Sequence, residues 1–368
     1  MNIGIVGAGL VGRLLAWRLL RAGHGVSLFD QDDGSGQQAA GFIAAAMLAP
    51  YSETVGTGHD LLAPGLQSIA LWQEWLNELH EEVGERVFLQ QRGSLVVAHP
   101  LDRKELQWFQ QKLRALASGE IQDFPLLDRP TLRSLEPALT AFDEGLYLPQ
   151  EACLDNRALF RALTQAITRH GGLWYRDYKV HDLRNHCIEA EQGSHSFDLV
   201  CDCRGFGAKE QLQGLRGVRG ELLWVHAPEV HLSRPIRLMH PRYQLYIAPR
   251  PDQIYVIGAT ELESESMTPV TVRSELELLS ALYSVHEGFS EASILEARNH
   301  CRPAFPNNLP RLTAESGLLR LNGLYRHGYL LGPLLVESAL NLLRGELPRP
   351  PIEVVGDLHD THKEPSYA

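Results

Sequence analysis

The first thirty residues restrict the fold more than any other part of the chain. Ile3, Ile5 and Val6 form a short β-branched run that enters Gly7-Ala8-Gly9-Leu10-Val11-Gly12, after which Leu14, Leu15, Leu19 and Leu20 recur at helical spacing until Gly23. Val26-Ser27-Leu28-Phe29-Asp30 then reads as a second buried strand that ends in an acid. A strand, a turn, a helix and a second strand close as a right-handed crossover with the strands parallel. In Gly7-x-Gly9-x-x-Gly12 the three glycines serve different ends. The first makes the tight turn, the second lets backbone approach a pyrophosphate, and the third lets the helix pack on the strand, with phosphates at the helix N-terminus. Asp30 follows Gly7 by 23 positions and is placed to accept hydrogen bonds from a ribose hydroxyl. All four parts stand in register, so the unit reads as a dinucleotide site rather than as a glycine-rich turn in some other α/β fold. The acid would repel the 2′-phosphate of NADP and leaves NAD and FAD both open.

A chain of 368 residues is too long for one ordinary core, and two lobes are expected. A helix is predicted over 156–170, and the strand-like Phe197-Asp198-Leu199-Val200-Cys201-Asp202-Cys203 after it ends in Arg204-Gly205-Phe206-Gly207. Other segments, at 92–98, 145–148, 222–226, 243–249 and 253–259, are short strands separated by turn residues, the pattern of an antiparallel sheet. Arg250-Pro251-Asp252 reads as a hairpin turn. The expected architecture is a mixed α/β chain: a dinucleotide-binding domain with a parallel sheet from 1–90, 149–217 and 300–355, a sheet domain from 91–148 and 218–299, and a tail, 356–368, with loose structure expected from about Pro351 onward.

Composition removes several function classes. With 34 basic against 45 acidic residues the net charge is −11, and without a Lys/Arg run nucleic acid is not an expected partner. Five scattered cysteines, Cys153, Cys187, Cys201, Cys203 and Cys301, give neither a disulfide ladder nor a CxxC pair, so a reducing cytoplasm is expected. The apolar start lacks a basic leader and a cleavage site, and the uncharged stretch 34–52 is broken by Ser35, Gln37 and Gln38, so neither a signal peptide nor a membrane anchor is expected. His240 and His300 are isolated, without metal-ligand spacing, and no metal is expected. No nucleophile elbow or phosphate-loop lysine supports a hydrolase or phosphotransferase.

The small-residue run Ala39-Ala40-Gly41-Phe42-Ile43-Ala44-Ala45-Ala46-Met47-Leu48-Ala49-Pro50 follows the acid closely, and either lets backbone amides approach a flat ring system or is a tightly packed buried helix. Gly7 to Asp30, the Ala44 to Pro50 part of this run, 198–207, Val218-Arg219-Gly220-Glu221, Gly258-Ala259-Thr260 and Tyr325-Arg326-His327-Gly328-Tyr329-Leu330-Leu331-Gly332-Pro333 together resemble the D-amino-acid-oxidase superfamily of flavoproteins. Within it they look most like the glycine oxidases of thiazole (thiamine) biosynthesis. The resemblance implies a glutathione-reductase-like FAD domain, an antiparallel sheet roofing the flavin, and FAD held by Gly7, Gly9, Gly12, Asp30, Ala45, Ala46, Met47, Leu48, Gly205, Gly207, Arg326, His327, Gly328, Tyr329 and Leu330. Related sarcosine oxidases attach flavin to a cysteine near Cys301, but the register is one residue off, and non-covalent FAD is expected.

The resemblance also implies the chemistry, hydride transfer from the CH–NH2 or CH–NH group of glycine or another small amino acid or amine to the flavin, giving an imine and then an oxo acid. Dioxygen or another acceptor would reoxidise the flavin. Such a substrate must be anchored at its other end, and a bidentate arginine is the natural carboxylate clamp. Arg302, in Asn299-His300-Cys301-Arg302-Pro303, matches that arginine; Tyr246 matches an assisting hydroxyl; and Arg326 sits beside the flavin, before a helix start whose amides can stabilise an anionic reduced ring. The alternatives are an arginine in a surface or interdomain ion pair and an ordinary sheet aromatic. Glu261 stands where some glycine oxidases carry methionine, and is expected to face solvent or to meet a substrate ammonium. Competing functions are a flavin oxidoreductase for a carboxymethylaminomethyl group on tRNA and a flavin-binding accessory protein without turnover; a homo-oligomer is possible for any of them.

Overall fold

The structure, a computed structural model, describes residues 1–116, 124–241, 244–346, 351–356 and 358. Tyr243, expected in a strand, and all of the 356–368 tail except Gly356 and Leu358 lie outside the described residues.

The glycine unit forms as its pattern requires. Strand Asn2–Val6 pairs in parallel with Gly25–Phe29 through helix Leu10–Arg21, and also with Leu199–Asp202 on its other side. The full seven-stranded sheet runs in the order Glu353–Gly356, Arg311–Glu315, Leu318–Asn322, Leu199–Asp202, Asn2–Val6, Gly25–Phe29, Leu173–Tyr175. Alternation decides which face each residue serves. Ile3 and Ile5 are fully buried in a core cluster to which helices Leu10–Arg21, Leu62–Val83, Asn156–Arg169 and Gly328–Leu343 also contribute, whereas Val6 and Phe29 pack with Leu183 and Ile188 on the opposite face. That second cover is a three-stranded meander, Val180–Arg184, Cys187–Ala190 and Gly193–Ser196, which the sequence pattern does not separate from the strand after it.

The other large sheet has eight strands, in the order Ser293–Ala304, Arg216–His226, Ile254–Gly258, Gln244–Pro249, Ile236–Met239, Ser94–Ala98, Glu144–Leu148, Leu126–Asp128. The hairpin expected around 250–252 joins Gln244–Pro249 to Ile254–Gly258, antiparallel with Ile247 opposite Ile257. One pair departs from the expected antiparallel pattern: Ser94–Ala98 runs parallel to Ile236–Met239, since these strands come from separate excursions of the chain and no hairpin fixes their direction. Helices Arg103–Leu116 and Val272–Val285 contribute Leu106, Phe109, Leu113 and Leu278, Ala281, Leu282, Val285 to apolar clusters built with this sheet. A separate cluster of Ile43, Ala45, Leu222, Trp224, Ala248 and Val256 joins the sheet to the small-residue run.

That run is not one buried helix. It is a single turn, Ala40–Ile43, followed by the two-residue strand Met47–Leu48 and then helix Pro50–Thr57. At the other end of the chain, Glu353–Gly356 is a strand paired with Arg311–Glu315, where the sequence predicts loose structure beyond Pro351. Val354 is partly buried against the core, a contact that residues 351–356 read singly do not reveal.

Candidate active site

A cavity of about 1090 Å³ runs from the glycine turn to the inner face of the eight-stranded sheet. It lies just above the ~300–1,000 Å³ that ordinary ligand pockets occupy. Of the site residues expected from the sequence, Gly7, Gly9, Asp30, Ala45, Ala46, Met47, Gly205, Gly207, Tyr246, Arg302, Arg326, Gly328, Tyr329 and Leu330 line it. Gly12, Leu48 and His327 stand behind the wall. Gly12 packs so closely on the turn that a Cβ there would lie 1.8 Å from the Gly7 carbonyl; the Leu48 side chain is wholly inside the core; and His327 is completely buried beside Glu53.

At the first end, Gly7 has φ +97, and its amide donates to the Phe29 carbonyl at 2.8 Å. Helix Leu10–Arg21 begins at Gly9 with no side-chain cap, so its first amides are left for a ligand. A Cβ at Gly9 would meet nothing nearer than Ala39 Cβ at 3.9 Å: it would project into the cavity. Asp30 accepts the Ala8 amide on one oxygen and the Asp32 amide on the other at 2.7 Å, which fixes the carboxylate and leaves each oxygen a further lone pair for a hydroxyl. Asp32 in turn takes the amides of Gly34, Gly36 and Gln38. Arg13 ties this loop to the turn: buried between the Phe160 and Trp174 rings, it donates to the carbonyls of Ala8 at 2.7 Å and Gly34 at 2.9 Å, and burial lowers its pKa to about 10. The carbonyls of the small-residue run are likewise tied back, Gly41 to Asn156 and Tyr329, Phe42 to Asn156, and Ala45 to Arg250 at 2.7 Å.

At the other end Arg302 and Tyr246 rest on glycines. The Arg302 guanidinium lies flat on Gly220, with Nη2 only 2.3 Å from where a Cβ would stand, and the Tyr246 hydroxyl is 2.9 Å from the same position on Gly258. Arg302 donates twice to the Thr260 carbonyl at 3.1 Å and has no carboxylate within 4.0 Å among the described residues. Behind it, in a buried pair, Arg219 donates from Nε and Nη2 to one oxygen of Glu221 at 3.0 and 2.6 Å, and the other Glu221 oxygen takes the Thr260 hydroxyl. Burial raises the Tyr246 pKa, more than nearby Arg302 lowers it, so the phenol stays a neutral donor.

Arg326 is differently placed. Its Nε lies 2.8 Å from Glu53, its Nη2 3.2 Å from the same carboxylate, and its Nη1 2.8 Å from Glu261, which also accepts the Tyr325 hydroxyl. Burial would raise the Glu53 pKa, but Arg326, His327 at 3.1 Å and Arg237 at 3.6 Å outweigh it and hold this carboxylate well below its usual range. Glu53 and Arg237 carry no sequence signal: no motif frames them, and they meet only because helix Pro50–Thr57 faces strand Ile236–Met239.

Compared with known proteins, residues 2–337 match the family model described as FAD dependent oxidoreductase. The chain belongs to that family. It is 38% identical over 354 residues, 95% of this chain and 98% of the relative, to the Rhizobium etli protein named as a thiamine biosynthesis oxidoreductase, ThiO. It is 26% identical, over 90% of each chain, to the glycine oxidase of Geobacillus kaustophilus, and the crystal structure of glycine oxidase from that organism superposes with a TM-score of 0.81 at 25% identity over 94% of this chain and 95% of the other.

The site of this FAD-dependent oxidoreductase fits its cofactor. The cradle at Gly9 with the uncapped helix start would hold the pyrophosphate, Asp30 a ribose, and the run 44–47 with the start of helix Gly328–Leu343 the ring system. Cys301 is fully buried, directs its thiol to the Ser264 carbonyl and does not line the cavity. No helix among the described residues is long and apolar enough to cross a membrane, and no group of three metal-binding side chains occurs among them.

Proposed function

We propose that this enzyme oxidises the C–N bond of glycine or another small amino acid, with Arg302 clamping the substrate carboxylate and Tyr246 assisting. The observation that carries the reading is the Arg302 guanidinium: on the cavity wall, held through carbonyls, with no carboxylate within 4.0 Å among the described residues. A substrate carboxylate supplies that anion, and five N–H donors in a fixed fork leave enough for a bidentate pair after Thr260 is served. The neutral Tyr246 hydroxyl adds a donor. Bound FAD supplies the two-electron acceptor. The protein's own part is to bind the carboxylate, orient the carbon chain and keep water from the cavity. The substrate loses two electrons and two protons to become an imine, water hydrolyses this to the oxo acid and ammonia, and dioxygen is reduced to hydrogen peroxide.

The names of the two relatives support a small amino acid and a place in thiamine biosynthesis. All five cysteines are free, which supports a reducing cytoplasm. The discontinuous domain division at 91, 149, 218 and 300 remains part of the proposal. Purified holoenzyme should release peroxide with glycine, sarcosine, D-alanine or D-proline and much less with benzylamine. Turnover confined to amines without a carboxylate would overturn the reading.

A further inference from the structure

Resting on that carboxylate clamp, we propose that Glu261 restricts the site to substrates with a single carboxylate by occupying the guanidinium of Arg326, which would otherwise take a second one. Arg326 lines the same cavity as Arg302, and its three nitrogens are engaged by two carboxylates of unequal standing. Glu53 is fixed: its side chain is 9% exposed and is flanked by Arg237 and His327 as well as Arg326. Glu261 is 49% exposed and is held by Arg326 and the Tyr325 hydroxyl at the end of a chain segment that has just left the sheet. It is the partner that could be displaced or removed without dismantling the site.

Charge counting gives this contact a consequence for substrate choice. Around Tyr246 the charged groups are Arg237, Arg302, Arg326 and Glu53, and Glu261 pairs with Arg326. Among these side chains three cations face two anions, and one carboxylate of a substrate bound as the free amine closes the balance. A second carboxylate would stay unpaired in a desolvated pocket, the arrangement that costs most. Glu105 and Glu277 line the same cavity and add negative charge that disfavours it further. Removing the Glu261 charge leaves three cations facing one anion, with Arg326 Nη1 free to act as a second anchor. The predicted class is therefore amino acids with one carboxylate and a neutral nitrogen substituent; iminodiacetate and D-aspartate are discriminated against.

The test uses holoenzyme of the wild type, Glu261→Gln and Glu261→Asp. It measures kcat/KM for glycine and iminodiacetate, and Kd for acetate and malonate from the flavin absorbance. Glu261→Gln should raise the iminodiacetate-to-glycine ratio roughly 10- to 100-fold, the scale of one charge-assisted contact, chiefly through KM. The malonate-to-acetate affinity ratio should rise in parallel, and Glu261→Asp should return both towards wild type. Equal changes for mono- and dicarboxylates, or unchanged ratios while glycine is still turned over, overturn the proposal. A wild type that binds neither acetate nor malonate overturns the clamp itself, and this inference with it.

Discussion

Gly220→Ala separates the proposed clamp from the fold. Gly220 has an ordinary backbone conformation, so alanine brings no strain of its own; its methyl instead meets the Arg302 guanidinium, at 2.3 Å from Nη2, 2.4 Å from Cζ and 2.7 Å from Nη1. To regain a van der Waals contact of 3.4 Å the plate must lift by about 1 Å, and it can, being the free end of a flexible side chain. The two hydrogen bonds to the Thr260 carbonyl, 3.1 Å each, would then be stretched beyond useful length. A displacement of ~1 Å at a positioning group is worth on the order of 10²-fold in rate. The expected result is a fall of about 100-fold in kcat/KM for glycine, with full FAD content and a Tm near that of the wild type. Peroxide assays with glycine and with a carboxylate-free amine check it. A variant that keeps wild-type activity on glycine, or loses activity equally on both amines, would refute the placement of the guanidinium on Gly220 as the basis of the clamp.

Other expectations follow from the same contacts. Arg13→Ala removes the charged donor between the Ala8 and Gly34 carbonyls and should weaken FAD binding by about 10- to 100-fold, measured by titrating apoprotein with FAD. Glu53→Gln should lower Tm at neutral pH. Because Arg326 and its neighbours hold the Glu53 carboxylate below its ordinary 4.5 in the folded state, the stability it contributes is complete above about pH 4.5 and is lost as pH falls further, so the Tm gap between wild type and variant should narrow in acid. A gap that widens in acid would contradict that direction.

The parts of the fold legible in the sequence are those where one local pattern decides the outcome. The run from Ile3 to Asp30 specifies strand, turn, helix and strand because only glycine tolerates the approach of residue 12 to the Gly7 carbonyl. The 250–252 hairpin is legible because turn residues stand between two alternating strands. Arg302 and Tyr246 are singled out by motif resemblance and do line one cavity, and the structure adds why their neighbouring strands carry Gly220 and Gly258 beneath them. What stays hidden depends on long-range pairing. Glu53 and Arg237 are far apart in the chain, and a lone glutamate in an otherwise uncharged stretch gives no hint of two arginine neighbours. The edge strand Glu353–Gly356 has too short an alternation to be distinguished from a loose end. Glu261, expected to face solvent or a substrate amine, is half exposed and nonetheless bound to Tyr325 and Arg326, residues that only the return of the chain at 325 brings to it.

The most direct test of the central claim compares Arg302→Ala with wild type on glycine and on a carboxylate-free amine. If Arg302 receives the substrate carboxylate, kcat/KM for glycine should fall by roughly 30- to 5,000-fold, corresponding to about 2–5 kcal/mol for a charge left without its partner. FAD should remain bound, and the already slow carboxylate-free amine should lose little. Equal losses on both amines, or release of FAD, would show that Arg302 supports the fold or the cofactor and would contradict the clamp.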